Sequence, residues 1–245
     1  MEPEAPYYRH DLARIHHLGF GFHADACAPG ILAGLAPVRE RDGLVVEVGC
    51  GSGLLTRYLV DAGCRVIATD ASPAMLELAR GVVPDAHDVT RVTLPDDPIP
   101  TADAIVGVGH ALNYLPDAAA IDRALAAIAG ALRPGGLLAI DLCGLEYGAA
   151  RRGNPNVGRV GDDWAIVTEF PPTTPDHFVR QMATFTRNDD GSWRRDDERH
   201  DNVLVDIPRE IALLGGHGVE AVAATSFGSE ELPAGLYAIK GRRSR

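Results

Sequence analysis

VVEVGCGSG, from Val45 to Gly53, runs a segment rich in β-branched side chains straight into three glycines, with Glu47 among the apolar residues. That is the pattern of a buried parallel strand ending where its backbone passes very close to a ligand. The glycines are spaced G-x-G-x-G, at Gly49, Gly51 and Gly53. A dinucleotide-binding G-x-G-x-x-G would need its third glycine where Leu54 stands, and the phosphate-cradling G-x-x-x-x-G-K-[ST] is absent. Glu47 narrows the ligand further. A carboxylate at the end of this strand repels a pyrophosphate but can meet, directly or through water, an ammonium or sulfonium group. The next strand-like segment, RVIATD (65–70), ends on Asp70, 17 positions after Gly53, where an acidic side chain can accept bonds from both hydroxyls of a ribose. Together they describe an adenosine-like ligand with a cationic amino-acid end.

Outward from this stretch the strand–helix alternation continues. GLLTRYLVDAG reads as a helix closed by Gly63, and SPAMLELARG as a helix with Ser72 as cap and Pro73 in its first turn. ADAIVGVG (102–109) reads as a strand, AAAIDRALAAIAGALRPGG as a helix stopped by Pro134, and LLAIDLC (137–143) as a further strand. This spacing implies βαβ units and a parallel sheet. Before it, Ala5 to about Leu35 has a helical pattern that suggests two short helices broken near Gly19 and Gly21. After Gly144, DWAIVTEF, HFVRQMATFTR and SWRRDDERHDNVLVD read as an antiparallel unit inserted in the parallel sheet, the last two strands joined across NDDG. A helix, PREIALLGGHG, and two strands, VEAVAATSFG and GLYAIKGR, close the chain.

With 245 residues, 46% of them hydrophobic, the chain fits one α/β domain carrying an insertion. A net charge of −11 disfavours nucleic acid and anionic membrane partners, and the basic tail Arg242, Arg243, Arg245 reads as a solvated end. Cys27, Cys50, Cys64 and Cys143 show no C-x-x-C pair and no zinc-ligand spacing with histidine, so reduced thiols and no metal are expected. The acidic MEPEAP beginning is unlike a signal peptide, and no apolar run approaches the ~18 residues of a spanning helix. A cytoplasmic protein is the expectation, and a homo-oligomer is compatible with it.

These segments, in this order, resemble the class I S-adenosylmethionine-dependent methyltransferases over roughly Leu44 to Leu142 plus the closing strand pair. VVEVGCGSG is similar to the family's glycine-rich motif, which implies Glu47, Gly49, Cys50, Gly51 and Gly53 at the cofactor. VIATDASPAML is similar to its ribose motif, with Asp70 in the ribose role and Ala71, Ser72 and Met75 beside the adenine. AHDVTRVTLPD resembles the segment whose Asp lies near the adenine amino group, making Asp88 and Val89 the candidates. ADAIVGVGHALNYLPD and LRPGGLLAIDL resemble the motifs of the fourth and fifth strands, and the first brings Gly109 to the cofactor.

The resemblance implies a Rossmann-like, mostly parallel seven-stranded sheet of order 3-2-1-4-5-7-6, with the last strand antiparallel, helices on both faces and an antiparallel β insertion after the fifth strand. It divides the chain into a helical lid (1–40), a cofactor-binding core (41–145), the insertion (146–206) and a closing helix and strand pair (207–245). Insertions of this kind are similar to those of enzymes acting on small molecules, including amino sugars and natural products. Methyl transfer from S-adenosylmethionine to a small-molecule acceptor is therefore the expected function, with nitrogen favoured over oxygen or carbon. A cyclase or isomerase that binds the same cofactor without methyl transfer is the alternative, and a binding module without chemistry a further one.

Three residues are candidates for the chemistry. His110 lies just past the fourth strand, at the carboxyl edge where parallel sheets place ligands, and could take a proton or simply pack there. Asn113 and Tyr114 beside it read as a turn former and a core aromatic. The density of Tyr7, Tyr8, His10, His16, His17, Phe20 and His23 exceeds that of an ordinary solvated helix, and by the resemblance Tyr8 and His16 are the ones to face the methyl group. In RRDDERHDN, alternation puts Arg194, Glu198, His200 and Asn202 on one strand face, read as solvated in preference to covering a substrate mouth.

Overall fold

The computed structural model describes residues 7–151 and 153–245, so the MEPEAP segment lies outside the described residues. Helices α1 (His10–Gly19) and α2 (Phe22–Arg39) precede β1 (Leu44–Val48), α3 (Leu54–Asp61), β2 (Arg65–Asp70), α4 (Pro73–Val82), β3 (Asp88–Arg91) and β4 (Ala102–Gly107). A 3-10 turn at Ala111–Tyr114, α5 (Ala118–Ala131), β5 (Leu132–Cys143) and α6 (Leu145–Ala149) follow. The remainder is β6 (Val157–Val160), β7 (Trp164–Glu169), β8 (His177–Arg187), β9 (Trp193–Val203), α7 (Ile207–Gly216), β10 (Val219–Ala224) and β11 (Leu236–Arg243).

The main sheet has the order β3-β2-β1-β4-β5-β11-β10, and β11 runs antiparallel to both its neighbours. This is the expected seven-stranded Rossmann-like arrangement. All of β1 is buried because its alternate side chains enter two cores. Val46 packs with Ile105, Ile121, Leu125 and Ile128 under α5, while Val45 packs with Ile31, Leu35, Leu55 and Leu59 under α2 and α3. Local chemistry starts the helices where the sequence places them. Ser72 Oγ accepts from Met75 N at 3.2 Å, and the Asp117 carboxylate accepts from Ala120 N at 2.7 Å.

The short β3 takes the expected edge of the main sheet beside β2. Three expectations change. The second N-terminal helix is not short but runs 18 residues to Arg39. Helix α5 stops at Ala131, ahead of Pro134, because Leu132 already belongs to β5. The insertion does not join the parallel sheet: with the additional strand β6 it forms a separate antiparallel sheet, β6-β7-β8-β9. The NDDG hairpin does form, with Asn188 N donating to Ser192 O at 2.8 Å.

Asn113 knits the two sheets together. Its fully buried amide donates to the Cys143 and Val203 carbonyls and accepts from Cys143 N at 2.9 Å, a structural role beyond a turn former's. Leu12, Ile15, Trp164, Ile166 and Met182 pack α1 against the second sheet.

Candidate active site

The backbone after β1 turns sharply, and Gly49, Gly51 and Gly53 all have positive φ, a region that side chains with a Cβ rarely occupy. A Cβ on Gly51 would meet only Met75 Sδ, at 3.9 Å, and one on Gly109 would meet nothing within 4 Å, so both glycines border open space at the carboxyl edge. Asp70 holds this loop from the end of β2: one oxygen accepts from Gly51 N and the other from Ser72 N, each at 2.8 Å. Burial pushes its carboxyl up against the pull of those amides.

Glu47 is 1% exposed and accepts from Thr56 Oγ1 at 2.6 Å. Burial pushes it up to about 8, opposed by the Thr56 bond and reinforced by the Asp70 charge. No basic side chain among the described residues pairs with it. The stability consequence follows in sign. A carboxyl raised in the fold contributes most below its ordinary value and loses that contribution as pH rises through about 8.

A cavity of about 340 Å³ adjoins this edge, within the usual range for small-molecule sites. Gly109 and His110 form its floor, His16 of α1, His23 of α2 and the flanking Tyr8 and Phe20 wall it, and β7 and β8 roof it with Ile166, Phe178, Arg180 and Met182. Tyr8 bridges the two halves of the molecule. Its carbonyl accepts from Ser72 Oγ at 2.8 Å, its N–H donates to Glu198 at 2.8 Å, and its hydroxyl meets Tyr114 Oη at 2.8 Å. The Glu198 carboxylate also accepts from Arg9 N and lies 2.9 Å from His200 Nε2.

The imidazoles divide by partner. His16 and His110 have no acceptor or donor at Nδ1, and burial, aided by the Arg180 charge, lowers them to about 4 and about 3. Burial also opposes charge on His23, but its 2.8 Å bond to Asp141 and the Cys27 thiol lift it to about 10. Asp141 additionally accepts from Gly109 N at 2.9 Å and His110 N at 2.6 Å, which holds His110 in its left-handed backbone conformation at the cavity floor.

Several of the sequence candidates thus converge. Glu47, Gly49, Gly51, Gly53, Asp70, Ser72 and Met75 surround the loop, with Ala71 beside them. Gly109, His110, His16 and Tyr8 face the cavity. Cys50 is buried, its thiol pushed well above its ordinary value by burial, and its backbone N–H donates to Thr69 O at 2.8 Å. Ser72 caps α4 and tethers Tyr8.

Two candidates are displaced. Asp88 pairs with Ile67, at the end of the sheet away from the ligand edge, and its exposed carboxylate caps its own strand at Val89 N. Val89 packs into the core with Cys50, Ala68, Leu76 and Ala79. The residue of β3 facing Asp70 is Arg91. The strand face read as solvated is also wrong for most of its length: Glu198, His200 and Asn202 are buried, and only Arg194 is largely exposed. The N-terminal segment and the main sheet cover it, which alternation alone cannot reveal. Asp141, Arg180 and the His17–Ser52 contact at 3.0 Å were missed. The DLC end of the fifth-strand segment was the one available hint for Asp141. Among the described residues no group of His, Cys, Asp or Glu is arranged to hold a metal ion, and no helix is long and apolar enough to cross a membrane.

Residues 46–138 match the methyltransferase domain family. A ubiquinone biosynthesis O-methyltransferase from Methylocella silvestris is 31% identical over 144 residues, 56% of this chain and 51% of that protein. The chain thus spans about half the length of the curated relative it matches. Among solved structures, a sugar N-methyltransferase from Streptoalloteichus superposes with a TM-score of 0.76 at 20% identity, covering 100% of this chain and 98% of its own. An amino pentose methyltransferase of calicheamicin biosynthesis from Micromonospora echinaspora, with S-adenosylmethionine bound, has a TM-score of 0.72 at 19% identity, covering 99% of this chain and 100% of its own. At these identities the solved structures establish the shared fold.

Proposed function

We propose that the chain is a class I S-adenosylmethionine-dependent methyltransferase, as its methyltransferase domain match and relatives support, and that it transfers a methyl group to a small-molecule acceptor in the cavity, an amine in preference to an oxygen or carbon nucleophile. The observation that carries this reading is the junction of the Glu47–Asp70 edge with a cavity closed by the N-terminal segment. In this reading residues 1–40 act as the lid, 41–145 and 207–245 as the cofactor platform, and 146–206 as the acceptor roof. The residues fit the cofactor. Gly51 and Gly109 leave room for it, Asp70 would hold its ribose, and Glu47, a buried carboxylate without a cation, would receive its amino-acid end.

The bound cofactor supplies an electrophilic methyl carbon on a sulfonium. What remains for the chain is to align the nucleophile and exclude water. Tyr8 and His16 wall the cavity on the lid side, and His110 lies at its floor with a buried, unpaired Nδ1. An imidazole lowered to about 3 is too weak a base to store a proton near neutrality, but it remains neutral and can accept a hydrogen bond from an amine N–H. His110 is therefore read as a positioning residue. The N-methylation named for one of the solved structures and the amino pentose named for the other support nitrogen, and so does the lack of a strong base on the cavity floor.

Two measurements test this. Calorimetry of S-adenosylmethionine binding in buffers of different ionisation enthalpy should show proton release below about pH 8, because a cation at Glu47 drives its carboxyl to ionise. Affinity should rise with pH over the same window, and Glu47→Gln should abolish the proton release. Binding without any proton release would remove Glu47 from the cofactor site. His110→Asn, which tolerates the left-handed backbone, should lower single-turnover methyl transfer by less than about tenfold with an unmoved pH profile, whereas loss of a general base is worth about 10²–10⁴. The acceptor itself is sought by mass spectrometry, as gain of one methyl on candidate amines. Cofactor binding with no methylated product from amines, alcohols or carbon nucleophiles would overturn the proposed transfer.

A further inference from the structure

We propose that Arg180 is the anchor for an anionic group of the acceptor, a carboxylate or phosphate, so that the small molecule methylated here is an acid as well as a nucleophile. The inference rests on the methyltransferase reading for the word acceptor, but on the cavity alone for the charge.

Arg180 projects from β8, partly buried with its Nε fully so, and lines the cavity. Its Nη2 donates to Tyr114 Oη and to Asn202 Oδ1, the latter at 3.1 Å, both neutral acceptors. Its Nε is buried without any acceptor, and no carboxylate among the described residues pairs with the guanidinium. A cation that is partly desolvated, with a buried N–H and no counter-charge, is costly, and a ligand anion would complete it. The surroundings do not dilute this charge. The cavity is lined by Arg151, Arg159, Arg180, His16, His23 and His110 and by no aspartate or glutamate, in a chain whose net charge is −11. His23 itself is balanced by Asp141, while Arg151 and Arg159 donate to backbone carbonyls at the rim. A positive cleft in an acidic molecule selects anions and raises their local concentration.

The guanidinium also has the right chemistry to orient what it binds, since a planar fork fixes a carboxylate or phosphoryl group in direction as well as position. An acid held by Arg180 at the roof has the cavity between it and Gly109 and His110 at the floor, so its nucleophile can extend toward the edge that carries Asp70 and Glu47. The anion's charge would at the same time offset the sulfonium beside it.

The test uses the full chain with and without saturating S-adenosylhomocysteine, with calorimetry and the unfolding midpoint as readouts. Benzoate, inorganic phosphate and the neutral isostere benzamide are titrated at constant ionic strength. Saturable binding of benzoate or phosphate, at least about tenfold tighter than benzamide, is expected from hydrogen bonds to a charged group, and the anion that binds identifies the acid. Arg180→Met should abolish it and unfold at an equal or higher temperature than the parent, because the uncompensated charge is gone. Rim variant Arg159→Gln should change anion affinity much less. The proposal is overturned if neither anion binds, if Arg180→Met binds them as well as the parent, or if that variant unfolds lower. The last result would make Arg180 a structural support for Tyr114 and Asn202. Loss of S-adenosylhomocysteine binding with anion binding intact would count against the cofactor reading and leave the anion site standing.

Discussion

Asp70→Ala is expected to weaken S-adenosylhomocysteine binding by about 100-fold, equivalent to about 3 kcal/mol. The loss has two sources. The carboxylate would accept from the ribose hydroxyls, and hydrogen bonds to a charged group are worth about 1.5–3 kcal/mol each. It also already accepts from Gly51 N and Ser72 N, so its removal frees the turn that shapes the site from both sides. Asp70→Asn separates the two contributions. The amide retains one acceptor oxygen but cannot satisfy both backbone N–H groups, and should recover only part of the affinity. Calorimetry on the folded variants measures this, and an unchanged dissociation constant for Asp70→Ala would mean that another carboxylate holds the ribose.

The second large effect concerns closure. Deleting residues 1–20 should reduce single-turnover methyl transfer by more than about 100-fold, a loss typical of misplaced reactants. The deletion removes Tyr8, which ties Ser72 to Glu198, and with it Leu12, His16 and Phe20 from the cavity wall. Water would then reach the reacting groups and the acceptor would lose a wall to rest on. The platform should stay folded, because β1, β2 and β4 pair through their own backbones and bury their side chains under α2, α3 and α5. Circular dichroism and retained S-adenosylhomocysteine binding check the fold, although with weaker affinity once the lid is absent. Full turnover after the deletion would exclude Tyr8 and His16 from the chemistry.

Between these two regions lies a difference in how much local sequence can say. The loop after β1 was legible because its causes are local. Three glycines at alternate positions permit positive φ, an apolar run specifies a buried strand, and Ser72 and Pro73 start a helix within three residues of Asp70. The Asp88 assignment failed where register entered. A matching segment says that a strand is present, but pairing with β2 decides which residue reaches the ligand edge, and it set Asp88 opposite Ile67 and Arg91 opposite Asp70.

The sequence by itself determined the strand–helix alternation, the glycine-rich loop and the two carboxylates at strand ends, since each follows from short-range periodicity, turn chemistry and residue type, while the sheet order came from the family resemblance. Only the tertiary structure decided the acceptor side. Tyr8 meets Glu198, His23 meets Asp141 and Arg180 meets Tyr114 across 190, 118 and 66 positions of chain. No pattern within one segment records such pairs. The same alternation in β9 serves a solvated face or a buried one, and it is the N-terminal segment packed onto that strand that buries Glu198 and His200. Likewise a basic side chain on β8 reads as a surface residue until the second sheet carries it over the cavity, where no carboxylate answers its charge.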